Sequence, residues 1–247
     1  AGGPVRAAAP AAPGPGDLAR LGDGELLNDA VLDWFLGRMA RGRAAAGVHV
    51  FSALFFSRLS EGGHERVRTW TRRLRRETPA GLFSRDFLLV PLHDASCGHW
   101  WLAVVCYPWA AAACGPALCG SQGPRRARIV LLDSLATGNG TESELEASAA
   151  RAERAPQLLR AYLAAEWEAC LGPEAGAYEA EQITIARADV PQQPNGEDCG
   201  VYVLEFVHRL LRDPADLEVL AEGGEVDFAV SSEPRRRWRR LSRRWLL

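Results

Sequence analysis

The chain has 247 residues, 31 acidic and 29 basic, for a formal net charge of −2. Every basic residue is Arg and none is Lys, which excludes chemistry built on a lysine: pyridoxal and aldolase Schiff bases, the P-loop lysine and the kinase strand lysine. With 47% hydrophobic and 24% charged residues the composition is that of a globular protein, and no apolar run reaches the roughly 18 residues of a membrane-spanning helix.

Residues 1–16, AGGPVRAAAPAAPGPG, are an Ala/Pro/Gly segment that reads as a disordered linker. The folded domain is expected over 17–247. The chain opens on Ala1 with no secretory signal behind it, so it is expected to be a piece of something longer. Asn28 is a suitable N-cap, with Val31, Leu32, Phe35, Leu36 and Met39 at helical spacing after it. VHVFSALFFSRL (48–59) predicts a short strand and a helix, and 64–76 is strongly basic. FLLVPLH (87–93), HWWLAVVCYP (99–108) and RIVLLDSL (128–135) are apolar runs bounded by turn residues, the signature of strands buried on both faces. Residues 109–127 are a Gly/Pro/Ala-rich insert between the second and third. Helix is predicted over 142–171, with Leu159, Leu163, Trp167 and Cys170 on one face, and a strand near 182–190. A strong helix follows from Cys199. The tail RRRWRRLSRRWLL puts Trp238, Leu241 and Trp245 on one side of a last helix, and packing rather than nucleic-acid binding is the expected use of its arginines. The order predicts an α+β fold around a central sheet.

The six cysteines show neither C-x-x-C pairs nor zinc-like Cys/His spacing, so free thiols in a reducing compartment are expected, with a Cys114–Cys119 pairing left open. Cys199 follows NGED and opens an apolar helix, where the macrodipole favours a thiolate. Gly200 leaves space beside it, and the PNGED turn offers backbone N–H groups for an oxyanion. A nucleophile needs a base, and His99 heads a buried strand. His93, six residues earlier, is the rival. The base needs an orienting carboxylate, and Asp133 interrupts an apolar strand where a lone charge would be costly. If the two strands are neighbours, Asp133 meets the His99 imidazole.

The strings PQQPNGEDCGVYVLEF, HWWLAVV and LLDSL resemble the ubiquitin-like-protein-specific (sentrin/SUMO-specific) cysteine proteases. So do LLNDAVLDWFL, VHVFSALFFSRL and RVRTWTRR, in that family's order along nearly the whole chain. The resemblance implies a papain-like cysteine protease fold, a central mixed β-sheet flanked by helices, and hydrolysis after the C-terminal di-glycine of SUMO. It implies His99, Asp133 and Cys199 as the catalytic set and Gln193, six residues before the nucleophile, as an oxyanion donor. Trp100 corresponds to the aromatic over the di-glycine tail, Asp29 to a contact with the modifier's surface, and Leu26 to the tunnel wall, where many members carry an aromatic. The insert and the basic segment are most similar to the chain-editing branch. The partners implied are SUMO, SUMO-conjugated proteins and poly-SUMO chains. Neither a metal nor a cofactor is implied, nor a nucleic-acid or membrane partner, and a monomer suffices. A nuclear location is implied by resemblance, otherwise a cytoplasmic one. A NEDD8-specific isopeptidase, an inactive SUMO-binding module and an acyltransferase on a similar Cys–His–acid site are the alternatives.

Overall fold

A computed structural model of the chain describes residues 11–42, 47–112, 125–135 and 142–246. Most of the expected linker and the Cys114–Cys119 pair lie outside these residues. Five strands form one sheet in sequence order: β1 (Val48–Val50), β2 (Phe87–Asp94), β3 (His99–Cys106), β4 (Arg128–Leu132) and β5 (Thr184–Arg187). The β1–β2 and β4–β5 pairs are parallel, while β2–β3 and β3–β4 are antiparallel. The sheet is therefore mixed. Its three middle strands are almost wholly buried, as their unbroken apolar sequences require.

Around the sheet lie α1 (Pro15–Ala19), α2 (Asp29–Gly42), α3 (Phe55–Val67), α4 (Arg72–Glu77), α5 (Glu142–Leu171), α6 (Cys199–Arg212), α7 (Ala215–Glu222) and α8 (Pro234–Leu246). Asn28 caps α2, its Oδ1 accepting the Val31 N–H at 3.1 Å, and the five predicted apolar residues of that helix are buried. α5 keeps the predicted face, with Leu159, Leu163 and Trp167 buried. α6 packs on both β3 and α2 and is apolar around most of its circumference, the pattern of a helix enclosed by other elements.

α8 lies against α6. Its Trp238 is fully buried, edge-on to Phe35 at 4.9 Å, and donates its indole N–H to Glu205 Oε1 at 2.9 Å. The arginine-rich tail is thus a packed element, as its apolar spacing predicts. Among the described residues no helix is long and apolar enough to cross a membrane.

Three differences from the sequence reading have local causes. β4 stops at Leu132 instead of reaching Leu135, because Asp133 Oδ1 accepts the Leu135 N–H at 2.9 Å and turns the chain. The basic stretch 64–76 divides between the end of α3 and α4. The carboxylate of Glu166, fully buried on α5, gathers that stretch: it accepts from His64 Nε2 at 2.8 Å, Thr71 Oγ1 at 2.5 Å and Arg75 Nη2 at 2.7 Å. Finally α7, absent from the prediction, is a two-turn helix that starts after Pro214 and ends on Gly223 in the left-handed region.

Candidate active site

The antiparallel β3–β4 pairing brings the first residue of β3 and the residue just past β4 to one end of the sheet. These are His99 and Asp133. His99 Nε2 donates to Asp133 Oδ1 at 2.8 Å, which leaves the other ring nitrogen, Nδ1, free for Cys199, close enough for its charge to act on the same imidazole. Cys199 is the first residue of α6, and its sulfur lies 4.0 Å from the Gly98 carbonyl oxygen. All three expected catalytic side chains meet, although 66 positions separate Asp133 from Cys199.

The imidazole sits in an unusual field. Burial alone would lower its affinity for a proton, but the hydrogen bonds to Asp133 and Cys199 and their charges outweigh that and push His99 up to about 9. Burial likewise works to raise Asp133, yet the hydrogen bond and charge of His99 hold the carboxyl below its usual range. Both directions favour an imidazolium beside an ionised Asp133 carboxylate. His93, the rival base, is stacked on the Trp100 ring at 4.1 Å, and burial lowers it. It is His99, not His93, that meets the carboxylate.

Gln193 is buried and tied on three sides. Its backbone N–H donates to Ser134 O at 2.8 Å, its Oε1 accepts from Ser134 Oγ at 2.8 Å, and its Nε2 donates to Asn195 O at 2.7 Å. A primary amide has a second N–H on that nitrogen, the donor an oxyanion role uses. Gln192, beside it, donates to the Asp133 carbonyl at 3.1 Å. The segment before the nucleophile is therefore laced to the turn that carries the acid.

Two sequence expectations are corrected. The N–H groups of Glu197 and Asp198 are not offered to an oxyanion, because both donate to Asn195 Oδ1, at 3.1 and 3.0 Å. The Cys199 N–H, in the first turn of α6 where no intrahelical acceptor exists, is the backbone donor left at the helix end, beside Gln193. The space at Gly200 belongs to Leu27 and not to a substrate backbone: a Cβ at Gly200 would stand 2.9 Å from Leu27 Cβ.

Of the expected substrate contacts, Leu26 is 38% exposed and leans over the loop before the base, its Cδ1 3.2 Å from where a Cβ on Gly98 would be. Trp100 is buried at 3% exposure, its indole N–H donating to Leu27 O at 3.0 Å. Asp29 opens α2, and its charge acts on His93, the ring stacked on Trp100. These residues thus line one region beside His99. Asn195, Asp198, Ser134 and Leu27 lie at the site and escaped the sequence reading; for the first three nearness in sequence to Cys199 or Asp133 was the available signal, and for Leu27 its place beside Leu26. Among the described residues, no group of three or more His, Cys, Asp or Glu side chains is arranged to hold a metal ion.

Residues 25–219 match the family described as the Ulp1 protease family, C-terminal catalytic domain. Human sentrin-specific protease 7 is 28% identical over 80% of this chain and 23% of its own length. Ubiquitin-like-specific protease 2 of Schizosaccharomyces pombe is 27% identical over 80% of this chain and 32% of its own. The chain therefore spans a quarter to a third of the length of these curated relatives. A solved de-sumoylating protease superposes with a TM-score of 0.61 at 19% identity, covering 94% of this chain and 82% of the other. The Ulp1 protease domain in complex with Smt3, the yeast orthologue of SUMO, gives 0.57 at 22% identity over 92% and 78%. At these identities the likeness to the solved structures is one of fold.

Proposed function

Because this chain belongs to the Ulp1 protease family, we propose that it is a cysteine isopeptidase. In this reading residues 17–247 form the catalytic unit, which cleaves after the C-terminal di-glycine of SUMO to release SUMO from conjugates or to trim poly-SUMO chains. The observation that carries this is the convergence of Asp133, hydrogen-bonded to His99 at 2.8 Å, with Cys199 at the head of a buried helix, its sulfur 4.0 Å from the carbonyl of the residue before His99. The Cys199 thiolate attacks the carbonyl carbon of the terminal glycine. Gln193 Nε2 and the nucleophile's N–H receive the oxyanion, one such donor contributing about 2.7–4 kcal/mol in related chemistry. The His99 imidazolium protonates the departing lysine amine as the tetrahedral adduct collapses to a thioester. Water, deprotonated by the then neutral His99, hydrolyses that thioester and returns the thiol.

Leu26 and Trp100 flank the approach to the sulfur and would admit a tail without side chains, which is why the substrate ends in two glycines. Asp29, at the outer end of that approach, would meet the modifier's folded surface. The names of the relatives, sentrin-specific and ubiquitin-like-specific proteases, support SUMO as the modifier, and the same resemblance supports a nuclear location.

The test is a panel of SUMO, NEDD8 and ubiquitin, each with a C-terminal vinyl-sulfone or a fluorogenic amide. SUMO is expected to label Cys199 and be turned over, and Cys199→Ser is expected to bind SUMO without turnover. Labelling of NEDD8 alone would reassign the substrate, and undiminished turnover by Cys199→Ser would remove the mechanism.

A further inference from the structure

Seven arginines lie between 235 and 244, and Arg235 alone of them is buried. A guanidinium carries five N–H donors in a rigid planar fork, and all five are used. Nε donates to Asp198 Oδ1. Nη1 donates to the carbonyl oxygens of Gly22 at 2.7 Å and Arg20 at 3.2 Å. Nη2 donates to those of Glu25 at 2.6 Å and Glu197 at 2.7 Å. One side chain from the C-terminal helix thereby joins two segments more than 170 positions apart in sequence. The first leads directly into Leu26 and Leu27, which lie against Gly98 and Gly200. The second leads directly into Cys199.

The ion pair also has an electrostatic consequence. Asp198 precedes the nucleophile, and its carboxylate is turned away from the helix end, with no capping bond to α6. It is buried, so solvent screens it weakly, and an anion so placed opposes a second anion on the neighbouring sulfur. Its other partner, Asn195 Nδ2 at 2.9 Å, is neutral. Arg235 is the cation paired with it.

The remaining charged groups around this turn are accounted for. His99 and Asp133 stand at the sheet ends and Glu197 is half-buried in the turn. Tyr202 and Glu205 lie along α6, the latter paired with Arg237. Asp94 and Cys97 are in the β2–β3 hairpin, with Asp94 facing Arg151. Asp23 and Glu25 are in the N-terminal segment, with Asp23 facing Arg239, and Asp29 heads α2.

We propose that Arg235 is a positioning residue for the reaction: it neutralises Asp198 so that the sulfur of Cys199 can carry negative charge, and it locks the Leu26–Leu27 wall to the nucleophile turn. The proposal rests on the cysteine-protease reading above. A rivet that served stability alone would lower the melting temperature without altering how Cys199 responds to pH.

The experiment measures Cys199 alkylation by iodoacetamide against pH, read at that residue by mass spectrometry, together with kcat and KM on a fluorogenic SUMO amide. In Arg235→Gln the acid limb of alkylation is expected to rise by about one pH unit, a roughly tenfold slower reaction near pH 6. Adding Asp198→Asn to that variant is expected to return the limb close to the wild-type position. Arg235→Lys is expected to keep the limb, because the charge remains. It should still lose about tenfold in kcat/KM, because three ammonium donors cannot span four carbonyls and a carboxylate. A folded Arg235→Gln with an unmoved limb, or a double variant displaced as far as the single one, overturns the proposal. If Arg235→Gln does not fold, Asp198→Asn alone decides: its limb must move down, and an unmoved limb overturns the proposal. If wild-type Cys199 reacts no faster than an ordinary free cysteine at every pH, the protease reading fails instead.

Discussion

Asp133→Asn changes the charge behind the imidazole while keeping its shape. In the native site His99 Nε2 donates to Asp133 Oδ1 at 2.8 Å, and His99 is raised from 6.5 to about 9 against the pull of burial. That rise corresponds to roughly 3 kcal/mol of preference for the imidazolium, supplied jointly by Asp133 and Cys199. An opposite charge at hydrogen-bond distance typically shifts a titrating group by on the order of one pH unit or more, so removing the carboxylate's charge lowers His99. The active form is the thiolate–imidazolium pair. It is intact while His99 holds its proton and is lost as pH rises through the His99 value. The alkaline limb of kcat/KM is therefore expected near pH 9 in the native protein and about one unit lower after the substitution. The amide oxygen still accepts from the ring and from the Leu135 N–H, so orientation survives. Near pH 7.5, below both limbs, the shift is expected to cost less than about twofold in kcat/KM, and near pH 9 about fivefold. Initial rates on a SUMO fluorogenic amide from about pH 6 to about pH 10 measure both quantities. An alkaline limb that stays where it was would refute the assignment of Asp133 as the group that keeps His99 charged.

Gly200→Ala would normally strengthen a helix by up to about 1 kcal/mol, but here the new Cβ meets Leu27 Cβ at 2.9 Å, an overpacking cost of about 1–3 kcal/mol. A lower urea midpoint and a raised KM are expected, because displacing Leu27 also moves the Leu26 wall; a more stable, fully active variant would contradict this. Trp238→Ala empties a fully buried site and leaves Glu205 Oε1 without its indole partner. Chemical denaturation should register a loss of about 3–5 kcal/mol, and a loss under about 1 kcal/mol would mean that α8 contributes little to the core. Glu166→Gln turns an NH2 group toward donors on His64, Thr71 and Arg75. It should destabilise by about 3 kcal/mol, with kcat on the remaining folded protein unchanged, since the cluster is not part of the catalytic line. A kcat that fell in step with stability would tie the cluster to the chemistry.

Much of the secondary structure was legible because it is set by short-range pattern. The 142–171 helix, the Asn28 cap and the three buried strands follow from residue spacing and burial that neighbours in sequence decide among themselves. The candidate catalytic set was legible for a related reason: a histidine heading an apolar strand, an acid ending one and a cysteine opening a helix are each unusual where they stand. Arg235 was only half legible. It lies three residues before Trp238 and seven before Ser242, on the stripe that α8 buries, yet a run of seven arginines carries no mark of which one is enclosed. What tertiary structure alone decided is which distant groups complete one another. The carbonyls that saturate Arg235 come from residues 20–25 and 197, the side-chain carbons that fill the space at Gly200 come from Leu27, and the Glu197 and Asp198 amides are taken by Asn195. Local spacing specifies how each segment coils and which face it hides. The partner of a buried donor is specified only when the whole chain has closed, since every buried polar group must then find one.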